Sequence, residues 1–156
     1  MIPPFVKGDE GRLETMHVFV TRMIPEAGLA LLREEAEVEV WPGPEDEAPS
    51  KKEIIDGIKK ADVLLCLLTE EIDRAVMEAN PKLLGIADYA VGYNNIDVET
   101  ATQLGIPVTN TPGVLTDTTA DLTWALILSV ARNIVQGHQY VKEGCFKIWR
   151  PKLLLG

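Results

Sequence analysis

The sequence predicts an α/β protein built on a doubly wound, parallel sheet of five strands, followed by a long apolar helix. Along most of the chain, short apolar runs alternate with segments of helical periodicity. The third run, VLLCLL at residues 63–68, is apolar at every position, which is typical of a parallel strand covered by helices on both faces. Five such strands alternating with four helices indicate a flavodoxin-like fold.

The first predicted elements follow Met16. Residues 17–21, HVFVT, are expected to form the first strand. The first helix, residues 25–35, has a proline in its first turn, where the missing N–H has no helical partner to lose. A short strand at 38–41 leads into the loop PGPEDEAPS, whose acids at 45–47 we interpret as a solvated surface.

The rest of the sheet follows the same alternation. Ser50 is predicted to begin the second helix, because Ser50 and Glu53 have the spacing of a capping box. Gly105 is predicted to end the fourth helix, as glycine commonly does. The remaining predicted elements are strands at 63–68, 83–91 and 107–110 and helices at 71–79 and 96–104.

A single helix is predicted from about residue 116 to about residue 142. Asp117 and Asp121 lie in its first turns, where acids interact favourably with the helix dipole. Residues 122–134 are apolar on nearly every face, whereas a surface helix shows one apolar stripe. We interpret this helix as a contact with another domain, another subunit or both. The alternative, a helix buried against its own sheet, stays open.

Composition and charge narrow the class of function. The formal net charge is −9, so neither nucleic-acid backbones nor anionic membrane surfaces are expected partners. No uncharged apolar run approaches the ~18 residues of a membrane span. Cys66 and Cys145 lack the spacing of a metal site, and no metal is expected. Without a disulfide pattern or a signal peptide, the cytoplasm is the expected compartment.

The segment VGYNN, which follows the fourth predicted strand, is the main candidate for a binding site. Ligands of open parallel sheets bind beyond the carboxyl ends of the strands. Gly92 lets the backbone approach a ligand or adopt a positive φ, and free N–H groups nearby can hold a carboxylate or a phosphate. The alternative is a tight turn with no ligand, for which this composition is also common.

Other catalytic arrangements are disfavoured. His17 and His138 have no Ser, Cys or Asp nearby that would suggest a triad. A phosphoacceptor receiver domain with the same topology needs acids after the first strand as well as after the third. Glu70 and Glu71 follow the third strand, but the first ends in TRMIP, which contains no acid.

The stretch YAVGYNNIDVETATQLGIPVTNTPGVLTDTTADLTWALILSVAR resembles the D-isomer-specific 2-hydroxyacid dehydrogenases, most closely their glyoxylate/hydroxypyruvate reductase branch. The VGYNNID loop, the GIPVTNTPGVLTD strand and turn, and the TADL helix start occur together at that family's spacing. The resemblance begins at about Met16 and extends to Gly156. Asn94 stands where many members have Asp.

The resemblance implies a two-domain enzyme that moves a hydride between NAD or NADP and a small 2-keto or 2-hydroxy acid. By similarity, the backbone N–H groups of Val91 and Gly92 would bind the substrate carboxylate, and Thr119 would contact the cofactor. Residues 116–142 would pack between domains and across a homodimer. The Arg, Glu and His that carry the family's catalysis match no residue here, because they belong to its dinucleotide-binding domain.

The expected organisation follows from this resemblance. Residues 1–15 form an extension, either a disordered tail or a segment preceding a native start at Met16. Residues 16–113 form the substrate domain, 114–143 the interdomain helix, and 144–156 the lead-in to a dinucleotide-binding domain that the chain lacks. The chain alone is then expected to bind NAD(P) weakly and to be inactive. The alternative is a non-catalytic module that assembles with a full-length relative.

Overall fold

The computed structural model describes residues 15–153. The chain divides into two compact units, Met1–Pro112 and Gly113–Gly156. The predicted extension, residues 1–15, lies outside the described residues except for Thr15, and the last part of the predicted lead-in, residues 154–156, lies outside them as well.

The first unit contains a five-stranded parallel sheet, which confirms the predicted fold class. The strands are β1 (Met16–Val20), β2 (Ala36–Val40), β3 (Val63–Cys66), β4 (Gly85–Asp88) and β5 (Val108–Thr109). Their order across the sheet is β2-β1-β3-β4-β5, the order of a flavodoxin-like fold. In this register Cys66, at the end of β3, lies opposite Asp88, at the end of β4.

The helices that join these strands are α1 (Glu26–Glu35), α2 (Lys51–Ile58), α3 (Arg74–Glu78) and α4 (Val98–Leu104). The predicted capping box is confirmed at α2: the Ser50 N–H donates to Glu53 Oε2 (2.8 Å), and the Glu53 N–H donates to Ser50 Oγ (3.4 Å). Gly105 ends α4 in the left-handed conformation, with φ of 71°. Local sequence signals therefore set both helix ends.

The core of this unit occupies both faces of the sheet, because successive strand residues point to opposite sides. Phe19 and Leu64 are buried in one cluster, together with residues of α2, α3 and α4. Val18 and Val20 are buried in the other cluster, where they pack with Leu29 of α1. This two-sided burial is the reason that the third strand is apolar at every position.

Two strands end two or more residues earlier than predicted, and β1, β2 and β5 each end one residue earlier. β3 ends at Cys66 rather than at residue 68, and β4 ends at Asp88 rather than at residue 91. Beyond Cys66, the Leu67 N–H donates to the Glu70 carboxylate (2.5 Å) instead of to a neighbouring strand. Leu68, whose exposed fraction is 64%, therefore lies in a loop although its sequence context is typical of a strand.

The second unit contains two helices, α5 (Thr116–Ala131) and α6 (Ile134–Lys142), so the prediction of one continuous helix over 116–142 is wrong. Asn133 lies between them with φ of 51° and interrupts the helical backbone. Asn adopts the left-handed conformation more readily than most other residues, which explains the position of the break.

Neither α5 nor α6 has a buried side chain. The middle of α5 carries five large apolar residues that are each more than half exposed: Leu122, Trp124, Leu126, Ile127 and Leu128. Within the described range 15–153, no helix combines the length and apolarity that crossing a membrane requires.

Candidate functional site

The loop after β4, residues 89–97, begins at the carboxyl edge of the sheet, where open parallel sheets bind ligands. The Tyr89 N–H donates to the Cys66 carbonyl (2.8 Å), so the first loop residue still contacts the end of β3. Ala90 is buried, whereas Val91 and Gly92 are exposed. The two residues predicted to bind a carboxylate thus lie at the surface, just past the end of β4.

Two carbonyl groups of this loop accept hydrogen bonds from the segment after β5. The Ala90 carbonyl accepts from the Thr111 N–H (2.8 Å) and from Thr111 Oγ1 (3.0 Å). The Val91 carbonyl accepts from Asn110 Nδ2 (2.7 Å). The main chain of residues 90 and 91 is therefore held by the neighbouring strand connection.

The N–H groups of Val91 and Gly92 remain available for a ligand. Within residues 15–153, neither group donates a hydrogen bond to another part of the chain. Two successive unpaired N–H groups on an exposed loop can together contact the two oxygens of one carboxylate. That these groups bind a substrate carboxylate stays a prediction.

Gly92 is not in the left-handed conformation, because the glycines with positive φ in the described chain are Gly105, Gly113 and Gly144. A Cβ added at Gly92 would lie 3.1 Å from Asn94 Oδ1. Glycine at this position leaves the main chain uncovered, with the exposed Asn94 side chain close by. Of the two uses predicted for this glycine, backbone accessibility agrees with the structure and positive φ does not.

Asn95, the second asparagine of VGYNN, links this loop to the loop after β3. Asn95 Nδ2 donates to the Leu67 carbonyl (3.1 Å) and to the Glu70 carbonyl (3.3 Å). In the main chain, the Ile72 N–H donates to the Asn95 carbonyl (2.8 Å). The two asparagines thus differ in role: Asn94 is exposed beside Gly92, and Asn95 joins two loops.

A buried carboxylate, Glu70, connects the ends of β1 and β3. Its Oε2 accepts from Thr21 Oγ1 (2.9 Å) and from the Leu67 N–H (2.5 Å), and its Oε1 accepts from Thr69 Oγ1 (2.9 Å). Arg22 Nε lies 3.0 Å from Oε1, and this ion pair compensates the buried charge. The sequence disfavours a phosphoacceptor role for Glu70, and the contacts show instead that it holds the loop after β3.

Asp88, at the end of β4, is buried against Cys66. Cys66 Sγ donates to Asp88 Oδ1 (3.8 Å), and Asp88 Oδ2 has no hydrogen-bond partner within the described residues. Burial raises the pKa of the Asp88 carboxyl, and the nearby Glu70 charge adds to this effect. Burial also raises the pKa of the Cys66 thiol, so Cys66 is a core thiol rather than a nucleophile.

Thr119, the predicted cofactor contact, lies on α5 in the second unit. Its N–H donates to the Leu115 carbonyl (3.0 Å), and its carbonyl accepts from Thr123 Oγ1 (2.8 Å). Only its exposed hydroxyl is left for a ligand. The sequence contains no G-x-G-x-x-G turn to hold a pyrophosphate, so the residues present do not fit a dinucleotide site.

Neither histidine takes part in a catalytic cluster. His17 Nδ1 lies 3.5 Å from a carboxylate oxygen of Glu37 at the surface, and His138 lies on α6 in the second unit. In the part of the chain that the structure describes, no group of three His, Cys, Asp or Glu side chains is placed to hold a metal ion.

Known proteins share the sequence and the fold of this chain. The chain is 55% identical over 141 residues to a glyoxylate reductase of Korarchaeum cryptofilum, covering 89% of this chain and 42% of that relative. The TT0316 protein of Thermus thermophilus superimposes with a TM-score of 0.81 at 45% identity, over 90% of this chain and 45% of that one.

A second solved structure is an NADPH-dependent glyoxylate/hydroxypyruvate reductase from Sinorhizobium meliloti in complex with NADP and malonate. It matches with a TM-score of 0.68 at 27% identity, over 85% of this chain and 40% of that one. The chain thus spans less than half the length of these relatives. The sequence profile of the catalytic domain of the D-isomer specific 2-hydroxyacid dehydrogenases matches residues 18–145. With most of its length matched by that profile, the chain belongs to the D-isomer specific 2-hydroxyacid dehydrogenase family.

Proposed function

We propose that this chain provides the substrate-carboxylate site of an NAD(P)-dependent reductase that converts glyoxylate, hydroxypyruvate or another small 2-keto acid to the 2-hydroxy acid. The observation that carries the proposal is the pair of unpaired N–H groups at Val91 and Gly92 on the carboxyl edge of the sheet, within the described residues 15–153. Relatives named glyoxylate reductase support the choice of substrate class.

The chemistry of the loop suits an anchoring role. Backbone N–H groups do not titrate, so they hold a carboxylate equally well across the pH range of the fold. A carboxylate held at two points leaves the adjacent keto carbon in a defined position, and such positioning is a large part of the barrier reduction in enzymes. The loop offers only backbone donors at Val91 and Gly92, so it anchors the substrate and does not supply a proton.

The direct test of the anchoring role is a titration of ¹⁵N-labelled chain, followed by the amide resonances of Val91 and Gly92. Hydroxypyruvate is expected to shift these two resonances in a saturable way. Dihydroxyacetone, in which a hydroxymethyl group replaces the carboxylate, is the matched control and is expected to leave them in place. Equal responses to both compounds, or shifts confined to other loops, would rule out a carboxylate site here.

We also propose that the chain alone has no reductase activity and binds NADH no more tightly than millimolar. The hydroxyl of Thr119 offers about one hydrogen bond, worth ~0.5–1.5 kcal/mol, whereas millimolar binding already requires about 4 kcal/mol. Fluorescence titration with NADH and assays with glyoxylate and hydroxypyruvate test this. Micromolar NADH binding, or turnover proportional to the amount of chain in preparations free of host dehydrogenases, would contradict it.

A second candidate is an assembly module, and the exposed apolar surface of α5 favours it. Leu122, Trp124 and Leu128 are each more than half exposed, more apolar surface than a monomer usually leaves in one place. We propose a homodimer through residues 116–142, or pairing with a full-length relative. Co-expression of the chain with a tagged full-length glyoxylate reductase tests the pairing, and failure to co-purify would count against it.

A further inference from the structure

We propose that Asn110 and Thr111 are positioning residues that aim the N–H groups of Val91 and Gly92 at the substrate carboxylate. The inference rests on the proposed function of this loop, and it extends it to two residues on a different segment of the chain. Asn110 and Thr111 follow directly after β5, the two-residue strand Val108–Thr109. Neither residue is predicted to touch the substrate.

The inference follows from the geometry of the peptide group. In a planar trans peptide, the carbonyl of one residue and the N–H of the next point in opposite directions. The described chain contains no cis peptide bond. The Ala90 carbonyl is fixed by two donors of Thr111, at 2.8 and 3.0 Å, so the Val91 N–H in the same peptide group points away from Thr111.

The same reasoning applies one residue further along. The Val91 carbonyl accepts from Asn110 Nδ2 (2.7 Å), so the Gly92 N–H points away from Asn110. Both free N–H groups are thereby turned to the side of the loop opposite residues 110 and 111. Asn110 and Thr111 select this orientation although neither contacts those N–H groups.

The Gly92 N–H needs a contact that fixes its orientation, because the backbone around it is free to rotate. Glycine has more backbone freedom than any other residue, and the exposed Val91 side chain is not packed in the core. Within the described chain, the bond from Asn110 is the hydrogen bond that fixes the peptide between Val91 and Gly92. Fixing donors before the ligand arrives lowers the entropy lost on binding, so Asn110 is expected to act through affinity.

Asn110 and Thr111 are suited to substitution because neither belongs to the buried core. Asn110→Ala removes the donor to Val91. Thr111→Val removes the hydroxyl but keeps the Thr111 backbone N–H, so its effect is expected to be smaller. Thr111→Ser keeps both donors and is the conservative variant that should restore the wild-type behaviour.

The experiment uses the full ¹⁵N-labelled chain and two readouts. Residual dipolar couplings without ligand report the direction of each N–H bond, and hydroxypyruvate titration reports affinity. In Asn110→Ala, we expect the Gly92 coupling to move towards zero while strand couplings stay unchanged. The Kd for hydroxypyruvate is expected to rise about fivefold. Thr111→Val is expected to change the Val91 coupling and to weaken binding about twofold, and Thr111→Ser to change neither.

The two proposals fail in different ways. If wild-type Val91 and Gly92 do not respond to hydroxypyruvate, the proposed function of the loop is wrong, whatever the couplings show. If the wild type responds but Asn110→Ala keeps the Gly92 coupling and the wild-type Kd, the positioning role is wrong and the carboxylate site stands. Equal losses of affinity in Thr111→Ser and Thr111→Val would likewise overturn the role given to the Thr111 hydroxyl.

Discussion

The Asp88 carboxylate lies against the Cys66 thiol at the ends of two neighbouring strands, with Cys66 Sγ donating to Asp88 Oδ1 over 3.8 Å. Both side chains are buried, and the second carboxylate oxygen of Asp88 has no partner within residues 15–153. An ionised group in this position is costly. The fold therefore places a carboxyl with a raised pKa directly before the loop that carries Val91 and Gly92.

Asp88→Asn is expected to stabilise the fold at neutral pH by roughly 1 kcal/mol. Burial raises the folded-state pKa of Asp88 above its unfolded value. Protonation of Asp88 thus contributes stability that is fully present below the unfolded pKa and is lost as pH rises through the folded pKa. The difference between variant and wild type should shrink as pH falls. Urea unfolding at pH 7 and at pH 4 measures it, and a variant less stable at pH 7 would contradict it.

Asn95→Ala is expected to lower the free energy of unfolding by about 1–2 kcal/mol. The substitution removes the amide that donates to the Leu67 and Glu70 carbonyls and so links the loop after β4 to the loop after β3. Asn94→Ala is the matched control, since the neighbouring Asn94 is exposed, and should stay within about 0.5 kcal/mol of the wild type. Urea unfolding of both variants checks the contrast. Equal losses would mean that Asn95 does not connect the two loops.

Glu70→Ala is expected to destabilise the chain by about 3 kcal/mol. The substitution leaves the partly buried Arg22 without its carboxylate and removes the acceptor of the Leu67 N–H. Glu71→Ala, one residue further along, removes an exposed carboxylate and is expected to cost little. Thermal or urea unfolding distinguishes them. A Glu70→Ala chain as stable as Glu71→Ala would show that the buried pair contributes nothing.

Leu128→Asp is expected to convert a dimer of the chain into a monomer at micromolar concentration. Leu128 is 56% exposed on α5, so an aspartate costs little in one copy but is buried unpaired in a dimer formed through this helix. Leu31→Asp, at a residue of α1 that is 67% exposed, is the control and should leave the oligomeric state unchanged. Light scattering after size-exclusion chromatography gives the mass. A monomeric wild type would refute the dimer.

The alternation of strands and helices was predictable because each signal was local or periodic. The apolar run at 63–68 indicated burial on both faces, and Gly105 indicated the end of α4. The ends of β3 and β4 were not predictable in this way. Whether Leu67 pairs with a neighbouring strand or with the Glu70 carboxylate is decided by side-chain contacts that apolarity does not encode.

The break at Asn133 was missed for a related reason. Residues on both sides of it have helical character, and a single asparagine is compatible with a helix interior as well as with the left-handed conformation. At the candidate site, the sequence indicated Val91 and Gly92 because they follow a strand. Asn110 and Thr111 were not indicated, since their bonds to residues 91 and 90 span 19 and 21 positions.

The free donors at positions 91 and 92 belong to the main chain, and this has a genetic consequence. Every amino acid except proline carries the same N–H, so any substitution at these two positions other than proline keeps the donor. Missense variation there can crowd the loop, as a Cβ 3.1 Å from Asn94 Oδ1 would at Gly92, but only a proline codon deletes a donor. The direction of these groups can therefore also change through substitution elsewhere in the chain, most directly at Asn110, whose side chain donates to the Val91 carbonyl.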